Sequence, residues 1–284
     1  MADKIWTIGS ILKWTEQYFR EKGVESPRLD AEVLLSHVLD KERIYLYVHF
    51  DEPLMAGELA EYKAMIKRRI AREPVAYIIG KKEFMGLSFK VTPKVLVPRP
   101  DTEILVGAVL DYLPDTAGRI ADIGTGSGAV ALSILMNNDK LNAEAVDISA
   151  EALAIAEENA EALGIAGRVI FREGDLLSPL SGEYDAIVSN PPYIPKADMQ
   201  MLAPEVKEYE PGNALYGGED GLDFYRRLAA GAGEFLRGEG FLAVEVGIGE
   251  AAAVTSLFTT AGLIRPKIIK DYAGIDRVVI AWKE

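Results

Sequence analysis

The chain has no cysteine and only two histidines among its 284 residues. The first absence excludes disulfides, thiolate metal sites, iron–sulfur clusters and cysteine nucleophiles. The second leaves His37 and His49, too few for a histidine-rich metal centre. Both sit among apolar residues of a helical segment, where a partly buried structural role is simpler than catalysis. No metal is expected, and a Ser-His-Asp triad is disfavoured on the same count. Positive charge is also scarce, with 31 Lys and Arg against 44 Asp and Glu and a net charge of −13. Such a molecule is repelled by nucleic-acid phosphates and anionic membranes, so direct DNA binding is not expected. Long apolar runs are missing too: the uncharged stretch between Asp122 and Asp139 holds three glycines and two asparagines and is too short to span a bilayer. The segment Met1 to Trp6 carries Asp3 and Lys4 with no apolar run behind them. The expectation is a cytoplasmic protein without a signal peptide.

What is present suffices for a large core. With 49% hydrophobic and 26% charged residues the chain is an ordinary globular sequence, and its length suggests two domains. Residues up to about Arg72 lack strand-like alternation and read as a helical bundle. Ile11, Leu12, Tyr18 and Phe19 recur at helical spacing in a first helix stopped by Gly23, and Trp6 and Trp14 pack this bundle. Ser26-Pro27 looks like an N-cap and first helical residue opening a second helix. Leu59, Tyr62, Ile66 and Ile70 share one face of a third, expected over Leu54 to Ala71. Between Glu61 and Pro100, ten Lys and Arg stand against three Glu. This basic segment is either a docking patch for an acidic or RNA-bearing partner or, more commonly for such runs, a solvated helix face. Short alternating runs from Phe84 to Val97 around Gly86 suggest a hairpin.

Beyond residue 100, apolar strands and helices alternate. Strands are expected at Arg119 to Ile123, Ala143 to Asp147, Val169 to Phe171, Ala186 to Ser189 and Phe241 to Val246. Helices are expected near Ala129 to Met136, Ala150 to Leu163, Leu222 to Phe235 and Glu250 to Ala261. That alternation predicts a mostly parallel sheet covered on both faces. The last strands, Ile264 to Lys270 and Arg277 to Trp282, lie too close for a helical crossover and should pair antiparallel. The working division is a helical domain over 1–75, a hairpin linker over 76–100 and an α/β domain over 101–284.

Three signals carry chemistry. Gly124-Thr125-Gly126-Ser127-Gly128 follows the first strand of the sheet and precedes a helix, where glycines let the backbone turn sharply against a ligand. Asp147 ends the next strand, placed to accept ribose hydroxyl protons, with a helix cap near Ser149 as its structural alternative. The glycine spacing differs from the dinucleotide fingerprint, which expects a glycine or alanine one position on, where Ala129 stands. Asn190-Pro191-Pro192-Tyr193 ends the fourth strand. Two prolines fix an extended backbone without N–H donors, so the asparagine oxygen and a proline carbonyl can together accept both hydrogens of a planar amino group. The alternative for this stretch is a rigid loop corner.

Asn-Pro-Pro-Tyr after strand four of a Gly-x-Gly-x-Gly sheet resembles the motif of methyltransferases that act on planar amide or exocyclic amino nitrogens. Val97-Pro98-Arg99-Pro100-Asp101-Thr102-Glu103, Pro27-Arg28-Leu29-Asp30-Ala31-Glu32 and Gly217-Gly218-Glu219-Asp220-Gly221-Leu222 narrow it to the HemK family, the peptide chain release factor N5-glutamine methyltransferases. The resemblance covers essentially the whole chain. It implies an α/β class I methyltransferase fold, a doubly wound, mostly parallel seven-stranded sheet with a small N-terminal helical bundle and a linking β-hairpin. It implies S-adenosyl-L-methionine as cofactor, with S-adenosyl-L-homocysteine as product. Gly124 to Gly128 would pass under the methionine part and Asp147 would hold the ribose. Asp175 and Leu176 would border the adenine, Leu176 standing where the family commonly has an aromatic residue. Asn190 would bind the substrate amide and line the cofactor pocket, Pro191 would give its carbonyl, with Pro192 behind it, and Tyr193 would pack on the glutamine side chain.

Peptide chain release factors, methylated on the glutamine of a Gly-Gly-Gln loop, are therefore the expected partners of a monomeric enzyme. An adenine-N6 nucleic-acid methyltransferase is the alternative, because an exocyclic amine fits the same clamp. The net charge counts against it, as does the absence of a large insertion rich in Arg and aromatics. A cofactor-binding module without catalysis is a third reading. The long irregular segment Ile194 to Leu222 is expected to form a lid over the glutamine pocket, made acidic by Glu205, Glu208 and Glu210.

Overall fold

The computed structural model describes residues 5–114 and 116–284. The chain divides into two units, one running through Gly80 and joined by Pro204–Tyr209, the other made of Lys81–Ala203 and Glu210–Glu284. The first unit is built from α1 (Ile8–Glu21), α2 (Pro27–Leu39), α3 (Arg43–Val48), α4 (Ala56–Ile70) and α5 (Val75–Ile79). Leu12, Phe19, Leu34, Leu35, Tyr62 and Ile66 form its core. Thr7 caps α1 by accepting from the Ser10 N–H at 3.3 Å. Ser26 takes the N-cap position ahead of Pro27, although its side chain makes no capping bond. The short α3 has no readable period and α5 is barely more than one turn, which is why neither stands out in the sequence. The Pro27-to-Glu32 motif anchors this unit by charge. Asp30 receives the buried Arg69 at 2.7 Å, and the buried Glu32 receives Arg43 at 2.6 Å, Arg28 and the Tyr47 hydroxyl. Burial alone would raise the Glu32 carboxyl, but hydrogen bonds from Tyr47, Arg43 and Arg28 hold it below the usual range.

The second unit opens with the hairpin β1 (Lys81–Phe84) and β2 (Leu87–Lys90), followed by α6 (Glu103–Tyr112). It continues through β3 (Gly118–Ile123), α7 (Ala129–Asn137), β4 (Leu141–Asp147), α8 (Ala150–Ala162), β5 (Val169–Glu173) and β6 (Tyr184–Ser189). The short α9 (Pro204–Tyr209) clusters with the first unit. After it come α10 (Asp223–Phe235), β7 (Leu236–Glu245), α11 (Ala251–Thr260), β8 (Ile264–Lys270) and β9 (Asp276–Trp282). One seven-stranded sheet runs in the order β5-β4-β3-β6-β7-β9-β8. Pairing is parallel from β5 to β7, and β9 runs antiparallel to both β7 and β8, as the short final connection predicts.

Alternation along the strands feeds two cores. Ile120, Ala143, Val188 and Ile280 face Leu105, Val109 and Leu132 on one side. Ala121, Ile187, Val244 and Val279 face Leu228, Val254 and Phe258 on the other. The strands are covered on both faces, which is why they read as nearly continuous apolar runs. The same rule hid α6: its sequence Ile-Leu-Val-Gly-Ala-Val-Leu is apolar without interruption and shows no amphipathic period. Among the described residues no helix is long and apolar enough to cross a membrane.

Several expectations change. The hairpin belongs to the second unit and is no independent linker. Phe84 and Phe89 are buried in its core, and the buried Asn159 of α8 accepts from Lys90 N–H at 2.7 Å and returns Nδ2 to the Lys90 carbonyl at 3.1 Å. The strands are also shorter than the alternation from Phe84 to Val97 suggests, because the chain turns at Met85-Gly86 and leaves extended pairing after Lys90. The basic segment is largely neutralised within the molecule. Arg68 pairs with Glu73, Arg69 with Asp30 and Glu205, Arg72 with Glu205, Lys90 with Glu158, Lys94 with Glu151 and Arg99 with Glu210. Glu205 and Glu210 are therefore ion-paired and not free to make an acidic lid face.

Asn159 also donates to the Ser127 carbonyl at 2.9 Å, so one buried amide joins the hairpin to the glycine-rich turn. Replacing it by alanine strands two backbone carbonyls and one N–H in a dry region. Urea unfolding of Asn159→Ala should show a loss of about 2–3 kcal/mol; a loss below about 0.5 kcal/mol would contradict this role.

Candidate active site

The order of the sheet reverses at β3, with β4 and β5 on one side and β6 and β7 on the other. In such sheets a crevice opens at the carboxyl ends of the strands flanking the reversal. A cavity of about 310 Å³ lies there, lined by Gly124 and Gly126 after β3, Asp147 and Ile148 after β4, Asp175 and Leu176 after β5, and Asn190, Pro191 and Pro192 after β6. These nine residues come from four loops that the sequence separates by up to 68 positions. The wall is completed by Val95, Leu96, Pro211, Ala214 and Phe224, which the motifs did not point to.

Gly124 and Gly126 have φ of +73° and +56°, a left-handed backbone that disfavours any side chain. The turn is held from below. The Gly124 and Thr125 N–H groups donate to the Val146 carbonyl at 2.8 and 2.9 Å, and Gly126 N–H donates to Asp147 Oδ2 at 2.9 Å. Thr125 and Ser127 are buried and belong to the support of the turn, not to the lining. Thr125 donates its hydroxyl to Asp122 Oδ2 at 2.7 Å. Burial pushes the Asp122 carboxyl up to about 6, against the hydrogen bonds of Thr125 and Ala131. Gly128 is the N-cap of α7, and a Cβ there would stand 2.9 Å from the Leu132 side chain.

Asp147 lines the cavity and also holds the backbone that follows it. Its Oδ1 accepts from Ser149 N–H at 3.0 Å, while the cap of α8 itself is the Ser149 hydroxyl, accepting from Ala152 N–H at 3.2 Å. Each carboxylate oxygen keeps lone-pair capacity toward the cavity it lines. Asp175 stands at the rim in an ion pair with Arg227 at 2.6 Å. Leu176 adopts φ +52°, and Ile148 is 62% exposed at the cavity. Those two side chains give an apolar pair of walls beside Asp147.

Asn190 donates Nδ2 to Thr102 Oγ1 at 3.1 Å. With the NH2 end of the amide committed to Thr102, Oδ1 is the end left to accept a hydrogen bond. The following prolines carry no N–H to compete for it. The loop is fixed on its other side by pairing with the Gly217-Gly218 region: Ile194 N–H donates to Leu215 O, and Gly217 N–H donates to Ile194 O, both at 2.9 Å. A Cβ on Gly217 would lie 2.7 Å from Tyr193 Cα, so the close approach of two backbones explains that glycine.

Tyr193 differs from expectation. Its ring packs into the second core and its hydroxyl approaches Glu245 Oε1 at 3.4 Å, so it backs the loop and does not line the cavity. Burial first, and then the neighbouring Glu245, push its pKa far up. Glu245 ends β7 and is 1% exposed. Burial pushes its carboxyl up to about 7. Thr102, which holds Asn190 Nδ2, was missed as a site residue.

The cavity suits S-adenosyl-L-methionine by its donor set and shape. Above Gly124 and Gly126 there is open space where any Cβ would point, one carboxylate stands at the end of β4, and apolar walls flank it. Residues 10–80 match the family described as PrmC N-terminal domain, and residues 101–206 match the methyltransferase small domain. The chain is 48% identical to a release factor glutamine methyltransferase of Geobacter sulfurreducens, over 97% of this chain and 96% of that one. It is 47% identical to the enzyme of the same name from Moorella thermoacetica, over 92% and 93%. A methyltransferase structure from Pyrococcus furiosus shares the fold, with TM-score 0.53 and 21% identity over 79% of this chain and 98% of that one. Full-length similarity at this level, on a methyltransferase sheet with its cavity at the strand-order reversal, makes the chain a member of the release factor glutamine methyltransferase family.

Proposed function

We propose that this cavity transfers the methyl group of S-adenosyl-L-methionine to the side-chain amide nitrogen of the glutamine in the Gly-Gly-Gln loop of peptide chain release factors. The observation that carries the reading is the orientation of Asn190, whose Nδ2 is held by Thr102 while the residue lines the cavity. An acceptor oxygen beside the Pro191 carbonyl suits a substrate NH2 group, which brings two donors. In this reading Gly124, Gly126, Asp147, Asp175 and Leu176 hold the cofactor, Thr125, Ser127 and Gly128 shape the turn beneath it, and Asn190 and Pro191 hold the amide. Pro192 stiffens the loop and Tyr193 backs it.

When bound, the sulfonium cofactor supplies an already activated methyl group. A carboxamide nitrogen is a poor nucleophile because its lone pair is delocalised into the carbonyl. The chain's task is therefore placement and not strong base catalysis. Asn190 Oδ1 and the Pro191 carbonyl orient the NH2 plane, and their hydrogen bonds strengthen as the nitrogen becomes positive. Val95, Leu96 and Phe224 keep the site apolar and poor in water. The helical unit is read as the surface that meets the folded factor, supported by Ile44, Val48 and Met55, which are 64%, 72% and 74% exposed.

The test is transfer of labelled methyl to a purified release factor, to the same factor with its loop glutamine changed to alanine, and to plasmid DNA. Label is expected in the unmodified factor alone. Label in DNA would move the reading to the adenine-N6 alternative, and label in the alanine factor would place the modification elsewhere. Asp147→Ala should weaken cofactor binding by about ten- to a hundredfold in calorimetry, the scale of losing one or two charge-assisted hydrogen bonds; unchanged affinity would remove Asp147 from the ribose site.

A further inference from the structure

Two stretches of the cavity wall, Val95-Leu96 and the one holding Pro211, Asn213 and Ala214, come from distant parts of the chain. Each lies next to one member of an ion pair that the reaction as described does not use. Arg99 Nη2 donates to Glu210 Oε1 at 2.6 Å, a contact that spans 111 positions. Glu210 immediately precedes Pro211, and Arg99 follows shortly after Leu96. Neither side chain lines the cavity itself.

Residues 211–217 belong to no sheet and hold only one short turn, in which Ala214 N–H donates to the Pro211 carbonyl at 2.9 Å and Tyr216 N–H to the Gly212 carbonyl at 3.0 Å. Such a segment keeps its place only if its ends are fixed. The far end is fixed by the bonds that Leu215 and Gly217 make with Ile194 behind the Asn-Pro-Pro-Tyr loop. The near end is fixed by Glu210. On the opposite side, the Arg99 carbonyl accepts from Thr102 N–H at 3.1 Å and so closes the turn whose Thr102 hydroxyl holds Asn190 Nδ2. One ion pair therefore joins the start of the 211–214 wall to the turn that carries Thr102.

The two partners are unequal. The Glu210 side chain is 2% exposed and that of Arg99 35%. Oε1 of Glu210 takes the guanidinium, while Oε2 is buried without a hydrogen-bond partner. A buried carboxylate that loses its counter-charge costs more than the loss of both partners together, so without Arg99 the carboxyl has reason to leave its place. A guanidinium one-third in water loses little when its carboxylate is removed.

We propose that the Arg99–Glu210 pair is a clasp that positions the Pro211-to-Ala214 wall against the cofactor, which makes Arg99 and Glu210 positioning residues for cofactor binding. The proposal rests on the reading of this cavity as the cofactor site. Both residues act through the wall and touch neither cofactor nor substrate.

The experiment uses variants of the full chain, with S-adenosyl-L-methionine affinity measured by calorimetry and backbone amide exchange by mass spectrometry. Glu210→Ala should weaken cofactor binding about fivefold, and Arg99→Ala about twentyfold, because only the second leaves a buried carboxyl bare. The double variant should return to the level of Glu210→Ala, where independent losses would multiply to about a hundredfold. Glu210→Gln, whose side-chain oxygen still accepts from Arg99, should stay within about twofold of the parent. In Arg99→Ala, exchange should rise at residues 211–217 while β3 and β4 keep their protection, whereas a loss of global stability would raise it throughout. Parent affinity in Arg99→Ala, multiplied losses in the double variant, or exchange rising equally across the sheet would each overturn the clasp. Should Arg99→Ala fail to fold, Glu210→Ala against Glu210→Gln makes the same comparison, and equal affinities in those two would overturn it. Asp147→Ala separates the two levels: unchanged affinity there removes the cavity as the cofactor site, while a loss there beside parent affinity in Arg99→Ala removes the clasp alone.

Discussion

An asparagine side chain offers a donor at one end and an acceptor at the other, and a site that must hold an NH2 group can use only the acceptor. In the proposed reading the bond from Asn190 Nδ2 to Thr102 makes that choice. Much of the second unit serves to make the bond possible. Thr102 is brought to β6 by the turn that opens α6, and the Asn-Pro-Pro-Tyr loop is clamped from the far side by residues 215–218. Close backbone contact at Gly217, without a side chain between, is what lets that clamp reach the loop.

The cofactor half depends on a different constraint, the left-handed turn after β3. Its N–H groups are largely taken up by Val146 and by Asp147, so the turn is shaped before any ligand arrives. Asp147 consequently has two duties, bracing the glycine turn and facing the cavity. Asn159 adds a third layer by tying Ser127 to the hairpin strand β2. The two halves meet where Gly124 and Asn190 line one cavity, the arrangement needed to bring a methyl donor and a nitrogen into line.

Much of this was legible because the chemistry is local in sequence. Glycines at 124 and 126, an acid ending β4 and Asn-Pro-Pro-Tyr after β6 each carry their meaning within a few residues. Strands buried on both faces read as apolar runs, and the close final strands gave their antiparallel pairing. What stayed hidden depends on contacts across distance. Thr102 lay inside a quoted motif without a role, because only the fold brings it 88 positions along the chain to Asn190. Tyr193 looked like a substrate contact because it ends the motif, yet the ring turns into the core toward Glu245. The pairing of the basic segment stayed hidden because sequence charge does not reveal partners: Glu205 and Glu210, read as part of an acidic lid, are themselves the partners of Arg69, Arg72 and Arg99.

The most direct measurement of the central claim is a crystal structure of the chain with S-adenosyl-L-homocysteine and a release factor bearing its unmodified glutamine. The account predicts the glutamine Nε2 at about 3 Å from both Asn190 Oδ1 and the Pro191 carbonyl, with Asn190 Nδ2 still on Thr102. A glutamine amide seated elsewhere, or an Asn190 amide reversed so that Nδ2 faces the substrate, would contradict it.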